Sequence, residues 1–185
     1  MNDFRININY AKALFILADD LSMQERVADD MRLVKQVCDE NHILNTIFAN
    51  PTIKESKKVA VVESLFKDKV SEPTMMFLTF VVRKNRSINL KGISESYLGR
   101  YRDSRGIVKT DFVTAVDIEP EARQMVSDIV GRYTGKSVEL NATVDNRMLG
   151  GFTMMFDNNM YDARIRTKIQ KLRKEYSKNI YESKL

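Results

Sequence analysis

Tryptophan is absent, and cysteine and histidine occur once each, as Cys38 and His42. A single cysteine excludes an internal disulfide framework and a cysteine-based zinc site, and a single histidine excludes a two-histidine metal site. The lone thiol fits a reducing compartment. No run approaches the ~18 consecutive apolar residues of a membrane span. The opening MNDFRININY lacks the basic start and unbroken apolar stretch of a secretory leader, so any membrane role is expected to be peripheral. There is no internal repeat, low-complexity tract or coiled-coil run.

What is present is ordinary for a globular chain: 30% charged and 43% hydrophobic residues. With 185 residues the chain can form one or two domains and bury roughly 70% of its unfolded surface. The net charge of +5 is unevenly placed. Tyr161 to Leu185 holds eight basic and three acidic residues, whereas the other 160 residues carry 22 of each. Such a tail can meet nucleic acid, an anionic surface or an acidic protein, or it can be a solvated helix face.

Apolar spacing predicts a mainly α fold, with an N-terminal six-helix bundle over residues 1–104 and a small mixed α/β domain over 107–185. Tyr10, Leu14, Leu17 and Leu21 recur at helical spacing, with Ala11, Phe15 and Ala18 beside them. Ser22 and Glu25 form a capping-box pattern. Val27, Met31, Val34 and Cys38 lie on one stripe of the next helix. Asn50-Pro51 is a break, and Ile53 to Phe66 reads as helix. Ser71-Glu72-Pro73 opens another, and Ile88 to Arg102 carries Leu90, Ile93, Tyr97 and Tyr101. The polar run Tyr101 to Gly106 reads as a linker. Beyond it, Val108 to Val116 is β-rich, and Glu119-Pro120-Glu121 starts a helix that ends near Gly135. Val138, Leu140, Ala142 and Val144 alternate with polar residues as in a strand with one buried face. Phe152 to Phe156 reads as a third strand. Ile165, Ile169, Leu172, Tyr176 and Ile180 form the apolar stripe of a closing basic helix.

Sites for chemistry are hard to find. Asp145 to Ile165 reads DNRMLGGFTMMFDNNMYDARI and holds the only Gly-Gly. A phosphate loop needs a Lys-Ser/Thr after its glycines; here the glycines run into a strand. They read instead as a turn or bulge between paired strands. Asp157 and Asp162 lie among polar residues and read as exposed turn acids rather than an acid-base pair. His42 reads as a surface or capping residue and Cys38 as a small core residue. In Met75 to Val82 seven of eight residues are apolar. A helix covering one core needs a single stripe, so this one is either enclosed by its own bundle or turns a second face to a partner helix. Its methionines suit an adaptable surface.

Three segments together carry a resemblance. They are Tyr10-Ala11-Lys12-Ala13-Leu14-Phe15 with Leu17-Ala18, then Phe77-Leu78 and Val81-Val82 with Asn85-Arg86, Leu90 and Ile93. The third is Val144-Asp145 and Leu149-Gly150-Gly151-Phe152 with Asp157, Asp162 and Arg166. In order and spacing the chain resembles, over essentially its whole length, the delta subunit of F-type ATP synthases, called the oligomycin-sensitivity-conferring protein in mitochondria. Ala163-Arg164 departs from the small Gly-Ser pair that family often carries there.

The resemblance implies a non-catalytic stator without a cofactor or metal, monomeric within its complex, at the cytoplasmic face of a bacterial inner membrane. Its N-terminal bundle would take the N-terminal helix of an α subunit of the catalytic head in a groove between the first and fifth helices. Tyr10, Leu14, Phe15 and Ala18 are the expected groove residues of the first helix, and Met76, Phe80 and Arg83 those of the fifth. Leu78, Val81 and Val82 are assigned to the core. The C-terminal domain would hold the b-type stalk subunits, with Arg166, Lys171 and Arg173 as stalk-binding residues and Gly150 and Gly151 as a structural turn. The rival reading is a nucleic-acid-binding protein using the basic last helix. Against it, the aromatics of that helix lie on its apolar stripe and do not interleave with the charges as a stacking platform requires.

Overall fold

The computed structural model describes residues 2–157 and 159–177, with side chains from Phe4 onward. Among them the chain is mainly helical, with one small four-stranded mixed sheet. It divides into two compact units, Met1–Arg105 and Gly106–Leu185. The second boundary of the closing helix's stripe, Ile180, lies outside the described residues.

The first unit contains α1 (Asn2–Asp20), α2 (Gln24–Glu40), α3 (His42–Ala49), α4 (Glu55–Phe66), α5 (Glu72–Arg83), a 3-10 turn at Ser87–Asn89 and α6 (Leu90–Arg105). Its core takes Ala11, Leu14 and Ala18 from α1, the Val27-Met31-Val34-Cys38 stripe from α2, Leu78, Val81 and Val82 from α5, and Leu90, Ile93 and Tyr97 from α6. Most buried polar side chains of this unit are bonded, as their desolvation requires, although Asn89 Oδ1 has no partner. The Asp30 carboxylate accepts from the Ser71 backbone N–H at 2.9 Å and from its hydroxyl, tying α2 to the start of α5. Lys58 Nζ donates to the Phe48 carbonyl at 2.9 Å. Burial pushes the Cys38 thiol up to about 11, with Asp39 adding to the effect.

Two local expectations fail in this unit. Ser22 does not cap α2: it sits at φ 54 in the preceding turn, and Met23 occupies the cap position without a side-chain bond. Residues 101–105 are no linker, because α6 continues to Arg105. Arg102 and Arg105 in its last turn suit the negative end of the helix dipole. The stop falls at Gly106, whose φ of +62 is left-handed.

The second unit is built from β1 (Ile107–Thr114), α7 (Pro120–Thr134), β2 (Ser137–Val144), β3 (Phe152–Phe156), β4 (Asn159–Asp162) and α8 (Ile165–Tyr176). The sheet order is β2-β1-β3-β4. β1 and β2 are parallel, so they need a crossover, and α7 supplies it. Proline in the first turn of α7 and left-handed Gly135 after its last turn set the helix ends. β1 pairs antiparallel with β3, and β3 with β4. Val108, Val130 and Phe156 form the buried centre, with Val138 and Met154 packed against it.

β4 corrects the expectation for its segment. Asn159 to Asp162 is an edge strand and no turn; only Asp157 is a turn residue, at φ 48. The glycine pair is corrected too. β2 and β3 are not partners, since β1 lies between them. The segment 145–151 crosses the end of β1, where the Asp145 N–H donates to the Thr114 carbonyl at 2.8 Å.

Candidate partner-binding surfaces

α5 carries the outward face of the first unit. Successive residues rotate by about 100° around a helix, so Leu78, Val81 and Val82 point inward while Met76, Phe80 and Arg83 share the opposite side. Leu78, Val81 and Val82 are fully buried, whereas Met76 is 68% and Phe80 49% exposed. This ridge walls a groove of about 510 Å³ lined also by Glu63 of α4, by Lys67 just after that helix, and by Met75 and Thr79. On its other side Tyr10 of α1 meets Phe77 and Phe80, with ring centroids 6.4 and 6.3 Å apart. Lys84 Nζ lies 5.5 Å from the centroid of the Phe80 ring, a cation over an aromatic face.

The first-helix residues expected in the groove do not come together. Leu14 and Ala18 are each 1% exposed and belong to the core. Phe15 lies half-buried on the other flank of that buried stripe, its ring 5.8 Å from Tyr97 of α6. There it helps line a separate groove of about 660 Å³ with Phe4, Ile8, Ser96, Gly99 and Arg100. Of the four, only Tyr10 stands beside α5. The residues in phase with it are Leu17 and Leu21, seven and eleven positions on, within about 20° of the same direction. Both are exposed. The signal for them was the Tyr10-Leu17-Leu21 spacing.

In the second unit no residue of α8 is buried. Ile165, Ile169, Leu172 and Tyr176 form an apolar stripe open to solvent, and Arg166, Lys171 and Arg173 are exposed on the same helix. One sheet face adds an apolar groove of about 560 Å³ lined by Phe112, Ile129, Tyr133, Phe152, Met154 and Tyr161 among others. Sequence reasoning missed this groove, because its walls come from β1, α7, β3 and β4 together.

The glycines hold α8 in place. A Cβ on Gly151 would lie 2.3 Å from the Ala163 carbonyl oxygen, and one on Gly150 would lie 2.6 Å from Ile165 Cδ1. Both have positive φ, +147 for Gly150 and +85 for Gly151. The Gly150 carbonyl accepts the Ile165 N–H at 3.1 Å, and the Phe152 carbonyl accepts the Ala163 N–H at 2.9 Å. Asp162 completes the corner: its carboxylate accepts from the Arg164 N–H, from Arg164 Nε and Nη2, and from the Thr167 hydroxyl. Those bonds, Arg164 first, hold its carboxyl well below the usual range.

Among the described residues no group of His, Cys, Asp and Glu is placed to hold a metal ion, and no helix is long and apolar enough to cross a membrane. What the geometry offers is exposed apolar surface on both units, the α5 ridge and the α8 stripe each flanked by charged side chains.

The family model for the ATP synthase delta (OSCP) subunit matches residues 6–175. The chain is 30% identical to the ATP synthase subunit delta of Cytophaga hutchinsonii over 180 residues, covering 97% of this chain and 98% of that protein. It is 29% identical to that of Chlorobium luteolum, with 91% and 93% covered. In fold it matches a chain of the cryo-EM structure of the Toxoplasma gondii mitochondrial ATP synthase hexamer, with a TM-score of 0.73 at 17% identity over 92% of this chain and 96% of that one. A helical first unit, a small mixed sheet and a signature running through both units thus converge, and the chain belongs to the ATP synthase delta (OSCP) subunit family.

Proposed function

We propose that the chain clamps the catalytic head to the peripheral stalk by two separate docking events, one on each unit. As a member of its family it is a non-catalytic stator subunit of the ATP synthase. The rotor's torque would turn the head, and a tight link to a membrane-anchored stalk prevents this. The bundle of α1 to α6 takes the N-terminal helix of an α subunit on the Met76-Phe80-Arg83 ridge, flanked by Tyr10 and Leu17. The second unit takes the b-type stalk on the open stripe of α8, with Arg166, Lys171 and Arg173 beside it and the sheet groove next in reach. The clamp works at the cytoplasmic face of a bacterial inner membrane, held there through its partners.

One observation carries this reading: Phe80 is about half exposed while its neighbours Leu78, Val81 and Val82 are fully buried. A half-exposed aromatic on a packed helix leaves apolar area for a partner to cover, at roughly 25 cal/mol per Å². The face is helical and grooved, which suits an amphipathic helix. The nucleic-acid reading lacks such support, since the one aromatic near the end of α8, Tyr176, continues the apolar stripe. Isothermal titration of the full chain with a peptide of the α subunit's N-terminal helix tests the reading. One-to-one binding with a negative heat-capacity change is expected; a folded chain that gives no heat at any temperature contradicts it.

A further inference from the structure

A small cavity of about 290 Å³ lies where the crossover 145–151 meets the start of α8, and three arginines line it: Arg147, Arg164 and Arg166. Two are already engaged. Arg147 Nε donates to Asp145 Oδ1 at 3.0 Å, and Arg164 Nη2 to Asp162 Oδ2 at 2.6 Å. These pairs take up the Nε–Nη2 edge of each guanidinium, so the side-on fork left for a ligand is that of Arg166, with Arg147 and Arg164 adding charge beside it. Arg166 forms no ion pair among the described residues. Three arginines against two bonded aspartates leave a surplus of one positive charge at the cavity.

We infer that this cavity is an anchor for one carboxylate presented by the partner segment that lies along α8. A single surplus charge matches a monoanion. A guanidinium fork matches the two oxygens of a carboxylate, bonding it side-on. The apolar lip made by Met148 and Leu149 suits an acid carried beside an apolar residue. Ile165 fixes the register. It begins the exposed stripe Ile165-Ile169-Leu172 and also packs on Gly150, at the cavity wall. A helix laying its apolar side along that stripe therefore reaches the arginines at one end. The partner is acidic at one defined position, which makes binding directional and not merely basic-to-acidic. This inference rests on the stalk reading for α8, but the cavity can be probed without any stalk.

The probe is sodium acetate, added to the isotope-labelled full chain at constant ionic strength with chloride as the control, and followed by NMR of the arginine Nε–H and Gly150 amide signals. Saturable shifts at Arg147, Arg166 and Gly150, lost in Arg166→Gln and weakened about threefold in Arg147→Gln, are expected, since Arg147 is largely exposed and an exposed charge pair contributes only a small factor. Shifts that match those in chloride, or that spread evenly over the lysines of α8, overturn the anchor. Phosphate binding at the same signals ten times more tightly than acetate, or capture of the chain by phosphatidylglycerol vesicles in place of acetate binding, overturns the carboxylate assignment. A stalk peptide that binds α8 while acetate leaves the arginines unmoved removes the anchor and leaves the stalk reading standing. Acetate binding without any stalk-peptide binding does the reverse.

Discussion

Tyr10 of α1 and Phe80 of α5 face each other with ring centroids 6.3 Å apart and planes tilted by 47°, and Phe80 nonetheless keeps 49% of its surface open. One edge of the ring is packed within the bundle and the other is open to solvent. Phe80→Asp is therefore expected to leave the bundle folded and to weaken α-peptide binding by at least ~100-fold, since it removes an aromatic worth about 2–3 kcal/mol and buries a charge. Circular dichroism and titration on the same sample separate the two effects. Leu78→Asp, at a fully buried site, is expected to unfold the unit instead.

Gly151 is the more demanding of the two glycines. Its Cβ would strike a backbone carbonyl, whereas that of Gly150 would meet the end of the Ile165 side chain. Gly151→Val is expected to cost on the order of 3 kcal/mol or more through the clash and the left-handed φ. Thermal unfolding followed by tyrosine signals of the second unit would read it. Gly150→Val is expected to damage the unit as well, through φ +147.

Reversing the charge of Arg166, Lys171 and Arg173 together is expected to weaken stalk binding and flatten its dependence on salt. Attraction between exposed charges is screened over roughly 10 Å at 0.1 M salt, and its loss shows first in the association rate. Surface plasmon resonance across a salt series checks this; an unchanged slope contradicts it.

Cys38 is fully buried and its thiol is pushed up to about 11. Labelling by a thiol reagent at pH 8 is expected to follow unfolding of the first unit and to be negligible in the native chain. The sign of the linkage is set by the raised value. In the unfolded chain the thiol ionises near 9.0, while in the fold it stays protonated to about 11. This contribution to stability is therefore present below pH 9 and is lost as the pH rises from 9 towards 11. Denaturant midpoints at pH 8 and pH 10.5, in wild type and Cys38→Ala, isolate it.

Much of the fold was legible because long helices carry a strong period. The α2 stripe Val27-Met31-Val34-Cys38 is read correctly from spacing alone, whereas the inward residues of α5 are assigned only with the family resemblance in hand. The β2 alternation is equally plain. α1 is different: Ala11, Ala13, Leu14, Phe15, Ile16, Leu17 and Ala18 are nearly all apolar, so hydrophobicity does not fix its phase. Only tertiary contacts decide that Leu14 and Ala18 go inward and that Phe15 turns to α6. β4 escaped notice because NMYD is short and polar for a strand and gains its place by pairing with β3. The crossover over β1 was hidden because sheet order is a long-range property: the glycines announce an unusual backbone, but not what passes beside it.

The most direct test of the clamp is whether one chain holds both partners at once. The full chain would be mixed with the α-subunit N-terminal peptide and a soluble b-type stalk dimer, and the complexes sized by sedimentation velocity with each component carrying its own chromophore. A single species containing all three, with one copy of the chain and of the α peptide, is the result the account predicts. Two mutually exclusive complexes, each lacking one partner, would contradict it.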